Sequence, residues 1–291
     1  MRKVLIGEAN TFILVAGLLF ILMLVFAMPT KPRMWLYPLV RQAVQIKVNY
    51  EARDMATYET AHFRIKYAPV DADTVSMIGQ AAEAAYQPVV ETLQYAPSGK
   101  TLILIHSNKN QLRQAFGWSG NESAMGVYWG GTIQLLSPHV WLNDGESVEE
   151  FIHSGPMVHE YTHLVFDHIT NGNYPRWFTE GLAQYVEYRA NHYEWITADN
   201  VLDDRMYTMR ELEDSFDELS NQSLAYRQSL AAVRYMAEVY GEDTLQDVVK
   251  SLKAGDSLEK AIRKNVGMDY ATFENSWKQW AEVHMNKKTE K

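Results

Sequence analysis

The sequence lacks cysteine: none of its 291 residues is a cysteine. This excludes disulfide bonds, thiolate-held metal ions and cysteine nucleophiles. Any metal ion that the chain binds must therefore take His, Asp or Glu ligands. The lack of cysteine does not identify a compartment, because a secreted domain with a large core is stable without disulfides.

Basic residues are outnumbered by acidic ones. The chain has 27 Lys and Arg against 36 Asp and Glu, which gives a formal net charge of −9 at pH 7. Proteins that bind nucleic acid carry a basic surface, so a nucleic-acid partner is not expected. Hydrophobic residues make up 47% of the chain, which suffices for one large folded domain or two small ones.

Charged residues are missing from one long stretch near the N-terminus, residues 11–28. A membrane-spanning helix needs an apolar run of roughly 17–25 residues, which this stretch provides. Its length favours an uncleaved signal anchor over a signal peptide, although Val25-Phe26-Ala27 fits a loose cleavage site. We predict that residues 1–28 are a single-pass anchor in the cell membrane, with the rest of the chain on the extracytoplasmic side. Cleavage would instead give a secreted protein.

Two prolines decide the prediction for residues 29–57. Pro32 and Pro38 argue against one continuous helix, because proline lacks the backbone N–H and disrupts helix interiors. We predict that this segment is a spacer leading away from the membrane, and that the folded domain covers residues 58–285.

Short apolar runs between residues 58 and 145 predict a small sheet with intervening helices, and Gly130-Gly131 between two such runs indicates a hairpin. Residues after 145 show helical spacing of apolar side chains. The predicted fold class is α+β: a small mixed β-sheet followed by a helical subdomain, with an N-terminal transmembrane helix. The expected strands are 62–67, 101–105, 127–129 and 132–136, and the expected helices are 71–93, 108–116, 156–170, 175–189, 208–219, 223–240, 242–253, 256–265 and 270–285.

The segment His159-Glu160-Tyr161-Thr162-His163 carries the clearest chemical pattern. Residues four apart lie on the same face of a helix, so the two imidazoles can bind one metal ion. Glu160 lies beside the first of them, where it can face a water on that ion. A catalytic zinc site has three protein ligands and leaves one position for water, so a third ligand is required.

Glu180 is the predicted third ligand. Asn171-Gly172 is typical of a helix end and Pro175 of the start of the next helix. A short connection makes the two helices antiparallel and returns Glu180, in the first turns of the second, toward the histidine pair. The sequence thus predicts one Zn²⁺ per chain on His159, His163 and Glu180.

The HExxH segment, followed by W-x-x-E-G-L-A from Trp177 to Ala183, resembles the gluzincin metallopeptidases, in particular the peptidase-MA-like domains. The resemblance covers about residues 58–285. It implies a zincin subdomain in which His159, His163 and Glu180 bind zinc. It also implies that Glu160 is the catalytic residue, which activates a zinc-bound water to hydrolyse a peptide bond in a peptide or protein substrate.

The sequence departs from the thermolysin-like branch of that family at Gln184, where that branch has an aspartate. A carboxylate that holds a ligand histidine must therefore come from elsewhere, and Asp167, one turn beyond His163, is the candidate. Tyr226 is the candidate donor to the oxyanion of the reaction, and a packing role for this tyrosine is equally open. We also expect residues 126–129 to form a sheet edge along which a peptide substrate could add as a strand.

Two functions from different classes remain. The first is a membrane-tethered or secreted zinc peptidase, and the lack of an aminopeptidase-type motif upstream of His159 favours an endopeptidase. The second is a non-catalytic extracytoplasmic binding module on a zincin fold. An intramembrane protease is excluded because the HExxH segment lies far from the apolar run. His153 and His168 lie off the His159–His163 face and are expected to be solvated or to lie behind the ligands.

Overall fold

The computed structural model describes residues 30–120, 123–143, 147–203 and 205–286. Its five strands are β1 (Ala56–Glu59), β2 (Phe63–Tyr67), β3 (Thr101–His106), β4 (Gly126–Trp129) and β5 (Thr132–Leu136). The helices are α1 (Thr30–Glu51), α2 (Val75–Leu93), α3 (Lys109–Phe116), α4 (Val148–Ser154), α5 (Met157–Thr170), α6 (Arg176–Asn191), α7 (Met209–Asp214), α8 (Gln222–Tyr240), α9 (Glu242–Lys253), α10 (Leu258–Asn265) and α11 (Tyr270–His284). The predicted α+β fold class, a mixed sheet followed by helices, is confirmed.

The predicted membrane anchor, residues 1–28, lies outside the described residues. Within the ranges that the structure does describe, no helix is both long and apolar enough to cross a bilayer. The anchor therefore stays a prediction.

The sheet has the strand order β1-β2-β3-β5-β4. β2, β3 and β5 run parallel, while β1 and β4 pair antiparallel at the two edges. The predicted hairpin is confirmed, since Gly130 and Gly131 both take positive φ angles, 53° and 82°, between β4 and β5. A two-residue hairpin turn of this kind requires such angles. β1 was not predicted, because its Ala-Thr-Tyr-Glu sequence is too short and polar to show a strand pattern.

The expectation that residues 29–57 contain no continuous helix is wrong, while their role as a spacer stays a prediction. α1 runs from Thr30 to Glu51 with Pro38 inside it. Proline in a helix interior costs about 3 kcal/mol. Val44 and Val48 offset that cost by burying against Leu102 and Leu104, on the sheet face opposite the main core. A local rule about proline is thus overridden by tertiary packing.

The main core lies between the other sheet face and the helices. Ile103 and Ile105 of β3 point into it, and α2 covers this face. β3 is therefore buried on both faces, in keeping with the apolar residues in its centre. Trp177 and Phe178 of α6 are fully buried in the same core and seat that helix beside α5.

Helices α6 and α8 pack unusually closely at Gly181. A Cβ at this position would lie 2.2 Å from the carbonyl oxygen of Ser229 on α8. Only glycine permits that approach. The close contact fixes the face of α6 that carries Glu180 and brings the first turns of α8 next to it.

Candidate metal centre

The two helices that carry the predicted ligands begin and end where the sequence indicates. α5 starts immediately after Pro156, and Asn171 caps its C-terminus in the left-handed conformation, with a φ of 49°. Pro175 precedes the first residue of α6. Proline is accepted at a helix start because its missing N–H has no helical partner there. The short turn between them makes α5 and α6 antiparallel neighbours.

His159, His163 and Glu180 meet between these helices. The Oε2 atom of Glu180 lies 3.1 Å from Nε2 of His159 and 3.4 Å from Nε2 of His163. One ligand atom from each residue falls within 4.8 Å of the others. Glu180 is 1% exposed and His163 6%, so these polar groups are held inside the protein rather than at its surface. The predicted ligand set is brought together.

The outer nitrogens of both rings are also bound. His159 Nδ1 lies 2.8 Å from Oε2 of Glu187, and His163 Nδ1 lies 2.7 Å from Oγ1 of Thr179. Such partners orient a ligand ring and set its tautomer. Here they direct both Nε2 atoms to the same point beside Glu180.

Glu187 therefore does what Asp167 was expected to do, and that expectation is wrong. Asp167 is bound instead to Arg41 of α1, whose Nε lies 3.0 Å from its Oδ2. Gln184 donates to the backbone oxygen of Tyr226, 2.8 Å away, and so braces α6 against α8. The reason is helical geometry: Glu187 lies seven residues after Glu180, two turns along the same face.

Arg176 fixes the remaining oxygen of Glu180. Its Nη2 lies 2.9 Å from Oε1 of Glu180, one helical turn later, while Oε2 faces the two histidines. The same guanidinium reaches the hydroxyl of Tyr226 at 3.4 Å. Glu180 is thus held in place by a charge that is not itself a metal ligand.

The charges at the site favour a metal ion. Burial disfavours the protonated ring of His159, but Glu187 and Glu180 outweigh it and raise its pKa well above the ordinary value. Burial favours the neutral acid of Glu180, but His163 and Arg176 outweigh it and hold its pKa well below the usual range. Without a metal ion, the protonated ring of His159 thus faces the ionised carboxylate of Glu180. A metal ion can replace the proton as the positive charge at this position.

Glu160 lies beside this centre, on the wall of a pocket of about 480 Å³. It is 7% exposed, and its Oε2 accepts a 2.6 Å hydrogen bond from the backbone N–H of Tyr128 on the edge strand β4. Burial raises its pKa above the ordinary value. A carboxylate with a raised pKa at a pocket wall is suited to take up and give back a proton.

The pocket lies between β4, the start of α5 and the helices α6 and α8. His159, Glu160 and Tyr226 line it, together with Tyr193 and Trp195 from the segment after α6. Burial, and next the charge of Glu180, raise the pKa of Tyr226, so its hydroxyl stays protonated at neutral pH. The structure therefore puts Tyr226 at the site, where it can donate a hydrogen bond.

The two other histidines that the sequence drew attention to lie away from the ligands, as expected. His153 packs edge-on against Tyr193, with ring centroids 6.2 Å apart. His168 is half-buried, and burial lowers its pKa to about 4. Neither belongs to the group formed by His159, His163 and Glu180.

These residues fit zinc. Two imidazoles and one carboxylate are a common protein ligand set of catalytic zinc, and the absence of thiolates is compatible with it. Both imidazole Nδ1 atoms have partners that leave Nε2 to bind, and the carboxylate is already ionised. The pocket beside the three residues provides room for the fourth ligand and a substrate.

Comparisons with known proteins agree with this geometry. Residues 140–283 match the Peptidase MA superfamily. That range is just under half of the chain and contains all three predicted ligand residues and Glu160. The match supports a zincin-like peptidase fold for this part of the protein.

Two individual proteins are also similar to this chain. The uncharacterized protein YhcO of Bacillus subtilis is 24% identical over 206 residues, which cover 65% of this chain and 63% of YhcO. The crystal structure of Legionella pneumophila aminopeptidase A in complex with aspartic acid has a TM-score of 0.49 at 14% identity, covering 77% of this chain and 27% of that one. The chain thus spans less than two thirds of the length of either protein.

Replacing Glu187 by glutamine is expected to weaken zinc binding by about 10- to 100-fold, the usual cost of losing an outer partner of a ligand histidine. The reason is that His159 loses the carboxylate that orients its ring, 2.8 Å from Nδ1. Zinc titration against a competing chelator measures the change. Glu149→Gln is the matched control, because it removes an exposed carboxylate from neighbouring α4 that contacts neither ligand ring. Equal zinc affinity in the Glu187 variant and the wild type would contradict the assignment.

Zinc uptake is expected to depend on pH through His159. Its pKa is raised in the metal-free protein, so the ring is protonated at neutral pH and must lose that proton to bind zinc. Below this pKa the apparent affinity should rise about tenfold per pH unit, with about one proton released per zinc. Calorimetry in buffers of different ionisation enthalpy measures the released protons. Uptake that releases no proton would show that His159 is already neutral before zinc binds, contrary to its raised pKa.

Proposed function

We propose that this protein is a zinc-dependent peptidase, and more specifically an endopeptidase that is tethered to the membrane by residues 1–28 or secreted after their removal. The observation that carries the proposal is the meeting of His159, His163 and Glu180 within 4.8 Å, beside a pocket whose wall includes Glu160. A non-catalytic binding module would need no general base beside the metal ligands. Glu160 has the position and the raised pKa of such a base.

Zinc held by these three residues would polarise the scissile carbonyl and activate a water molecule. Glu160 takes the proton of the attacking water and delivers it to the nitrogen of the leaving amine. The N–H of Tyr128 holds the Glu160 carboxylate during this transfer, at 2.6 Å in the structure. Tyr226 donates its O–H to the oxygen of the carbonyl as negative charge develops there.

A peptide can enter along β4. This strand pairs with β5 on one side only, so it is an edge of the sheet. An extended substrate could therefore add to it through backbone hydrogen bonds. Met125 and Gly126, at the start of the strand, line the pocket together with Tyr193 and Trp195. The side chains of Met125, Tyr193 and Trp195 favour a substrate with an apolar residue near the cleaved bond.

Hydrolysis of a quenched fluorescent peptide library by the full-length protein tests the proposal. Activity is expected to disappear with a zinc chelator and to return when zinc is added back. Peptides with both termini blocked separate the two kinds of peptidase, because an endopeptidase cleaves them and an exopeptidase does not. A protein that binds zinc but cleaves no peptide in the library would be the binding module instead.

A further inference from the structure

Helix α1 directly follows the predicted membrane anchor. It is hydrogen-bonded to α5, the helix that carries the HExxH segment. Arg41 of α1 is 8% exposed and binds Asp167 of α5 with its Nε and Nη2, at 3.0 and 2.9 Å from Oδ2. Its Nη2 also donates to the backbone oxygen of Asp167 at 3.0 Å. The carboxylate is fully buried and shares several hydrogen bonds with the guanidinium. These bonds fix α1 relative to α5, because a buried charge without its partners is costly in free energy.

The same carboxylate holds the edge strand β4. The hydroxyl of Tyr128 donates to Oδ2 of Asp167 at 2.6 Å. The backbone N–H of the same tyrosine donates to Oε2 of Glu160 at 2.6 Å. Tyr128 therefore connects the buried Arg41–Asp167 pair, through a single residue, to the carboxylate that the proposed reaction uses.

The turn of the hairpin is pressed against α1 as well. Gln45 donates to the backbone oxygen of Gly131 at 3.0 Å. A Cβ at Gly131 would lie 2.6 Å from Cγ of Arg41, and a Cβ at Gly130 would lie 2.6 Å from Cγ1 of Val44. The hairpin thus has no room to shift toward α1, and its position depends on where α1 lies.

We propose that Arg41, Asp167 and Tyr128, here called the Asp167 clamp, position Glu160 for catalysis by fixing β4 against it. All three are positioning residues, because none of them belongs to the metal ligands. The proposal rests on the proposed peptidase function for its catalytic consequence. Its structural part, that the clamp holds the Tyr128 N–H on Glu160, stands independently of that function.

A second tyrosine makes it possible to distinguish a specific effect of the clamp on Glu160 from a general effect on stability. Tyr174 also donates its hydroxyl to Asp167, at 3.0 Å from Oδ1. Burial, and next the charge of Asp167, raise the pKa of both Tyr128 and Tyr174, so both hydroxyls stay protonated donors. Tyr174 lies in the α5–α6 connection and not on β4. Tyr128→Phe and Tyr174→Phe therefore both remove a hydroxyl bond to Asp167, but only the first breaks the route to Glu160. Tyr128→Phe also removes the acceptor of the Gly131 N–H, which lies 3.1 Å from the Tyr128 hydroxyl, so a variant that leaves this hydroxyl in place is needed as well.

The test compares these two variants of the full-length protein by two measurements. The first is hydrogen exchange of the backbone amides of residues 126–129 in the metal-free protein. Tyr128→Phe is expected to speed this exchange about tenfold, the effect of losing one buried hydrogen bond, while Tyr174→Phe leaves it unchanged. The second is steady-state kinetics of peptide hydrolysis. Tyr128→Phe should lower kcat about 10- to 100-fold, as small misplacements of catalytic groups do, with KM and zinc content retained.

Arg41→Lys supplies a third variant that keeps the charge but loses the paired geometry. It should change hydrogen exchange and kcat in the same direction as Tyr128→Phe. A variant that combines Arg41→Lys with Tyr128→Phe should show effects little larger than those of either single substitution. Equal effects of Tyr128→Phe and Tyr174→Phe, or no effect of Tyr128→Phe on exchange, would overturn the clamp. If the wild type cleaves no peptide, the peptidase function fails, and the exchange result still decides whether the clamp exists.

Discussion

Replacing Glu160 by glutamine is expected to lower kcat/KM for the proposed peptide hydrolysis by about 10²- to 10⁴-fold, the usual effect of losing a general base. Glutamine keeps the shape of the side chain and can still accept the N–H of Tyr128, but it cannot take up a proton. The bound zinc is expected to stay, because Glu160 is not a ligand. Zinc content and hydrolysis rates, measured on the same preparations, check both parts.

Glu194→Gln is the control for this variant. Glu194 lines the same pocket, but its carboxylate faces Arg227 and Arg234, at 3.5 and 3.4 Å, rather than the three predicted ligands. This variant should keep its zinc and most of its activity. If the two glutamine variants lose the same fraction of activity, Glu160 has no special role and the mechanism is wrong.

Replacing Glu180 by glutamine is expected to weaken zinc binding by more than about 100-fold, because a ligand is lost rather than an outer partner. Activity at fixed zinc concentration falls with the zinc content. The substitution also removes the negative charge that faces both imidazoles and Arg176. Competition with a chelator of known affinity measures zinc binding, and thermal unfolding of the metal-free protein measures the structural cost.

Asp217→Asn is the matched control for the Glu180 variant. Asp217 also contacts Arg176, at 3.5 Å, but no ligand histidine. It separates the loss of a partner for Arg176 from the loss of a zinc ligand. Zinc affinity that is unchanged in the Glu180 variant would remove Glu180 from the ligand set.

The grouping of His159, His163 and Glu180 could be predicted because each step rests on local rules. The spacing of His159 and His163 needs only a helix. The return of Glu180 needs only the helix end at Asn171 and the helix start after Pro175, both of which have strong residue preferences. The structure confirms those ends, and it brings the three side chains together.

The partners around the ligands were harder to predict. Glu187 was missed in favour of Asp167, although a residue seven positions after Glu180 shares the same helix face. Arg176 was missed although it lies four residues before Glu180, a spacing that pairs charges on a helix. Helical geometry alone could therefore have predicted both residues as partners of the ligands. Thr179 was not, since its contact with His163 depends on how closely α5 and α6 approach.

Helix α1 could not be predicted from local sequence. Pro38 argues against a continuous helix, and the residues that override it, Leu102 and Leu104, lie more than fifty positions away. The same applies to Asp167, whose partners Arg41 and Tyr128 come from two other elements. Long-range packing of this kind leaves no pattern in a single sequence, and it is where the sequence-based expectations were wrong.

The most direct test of the metal site is zinc K-edge X-ray absorption of the zinc-loaded protein, after its zinc content has been determined. We expect one zinc per chain with two imidazole nitrogens at about 2.0–2.1 Å and oxygen ligands at about 2.0–2.2 Å. His163→Ala should lose one imidazole from that shell or lose the zinc. A protein that binds no zinc, or a shell without two imidazoles, would contradict the site on His159, His163 and Glu180.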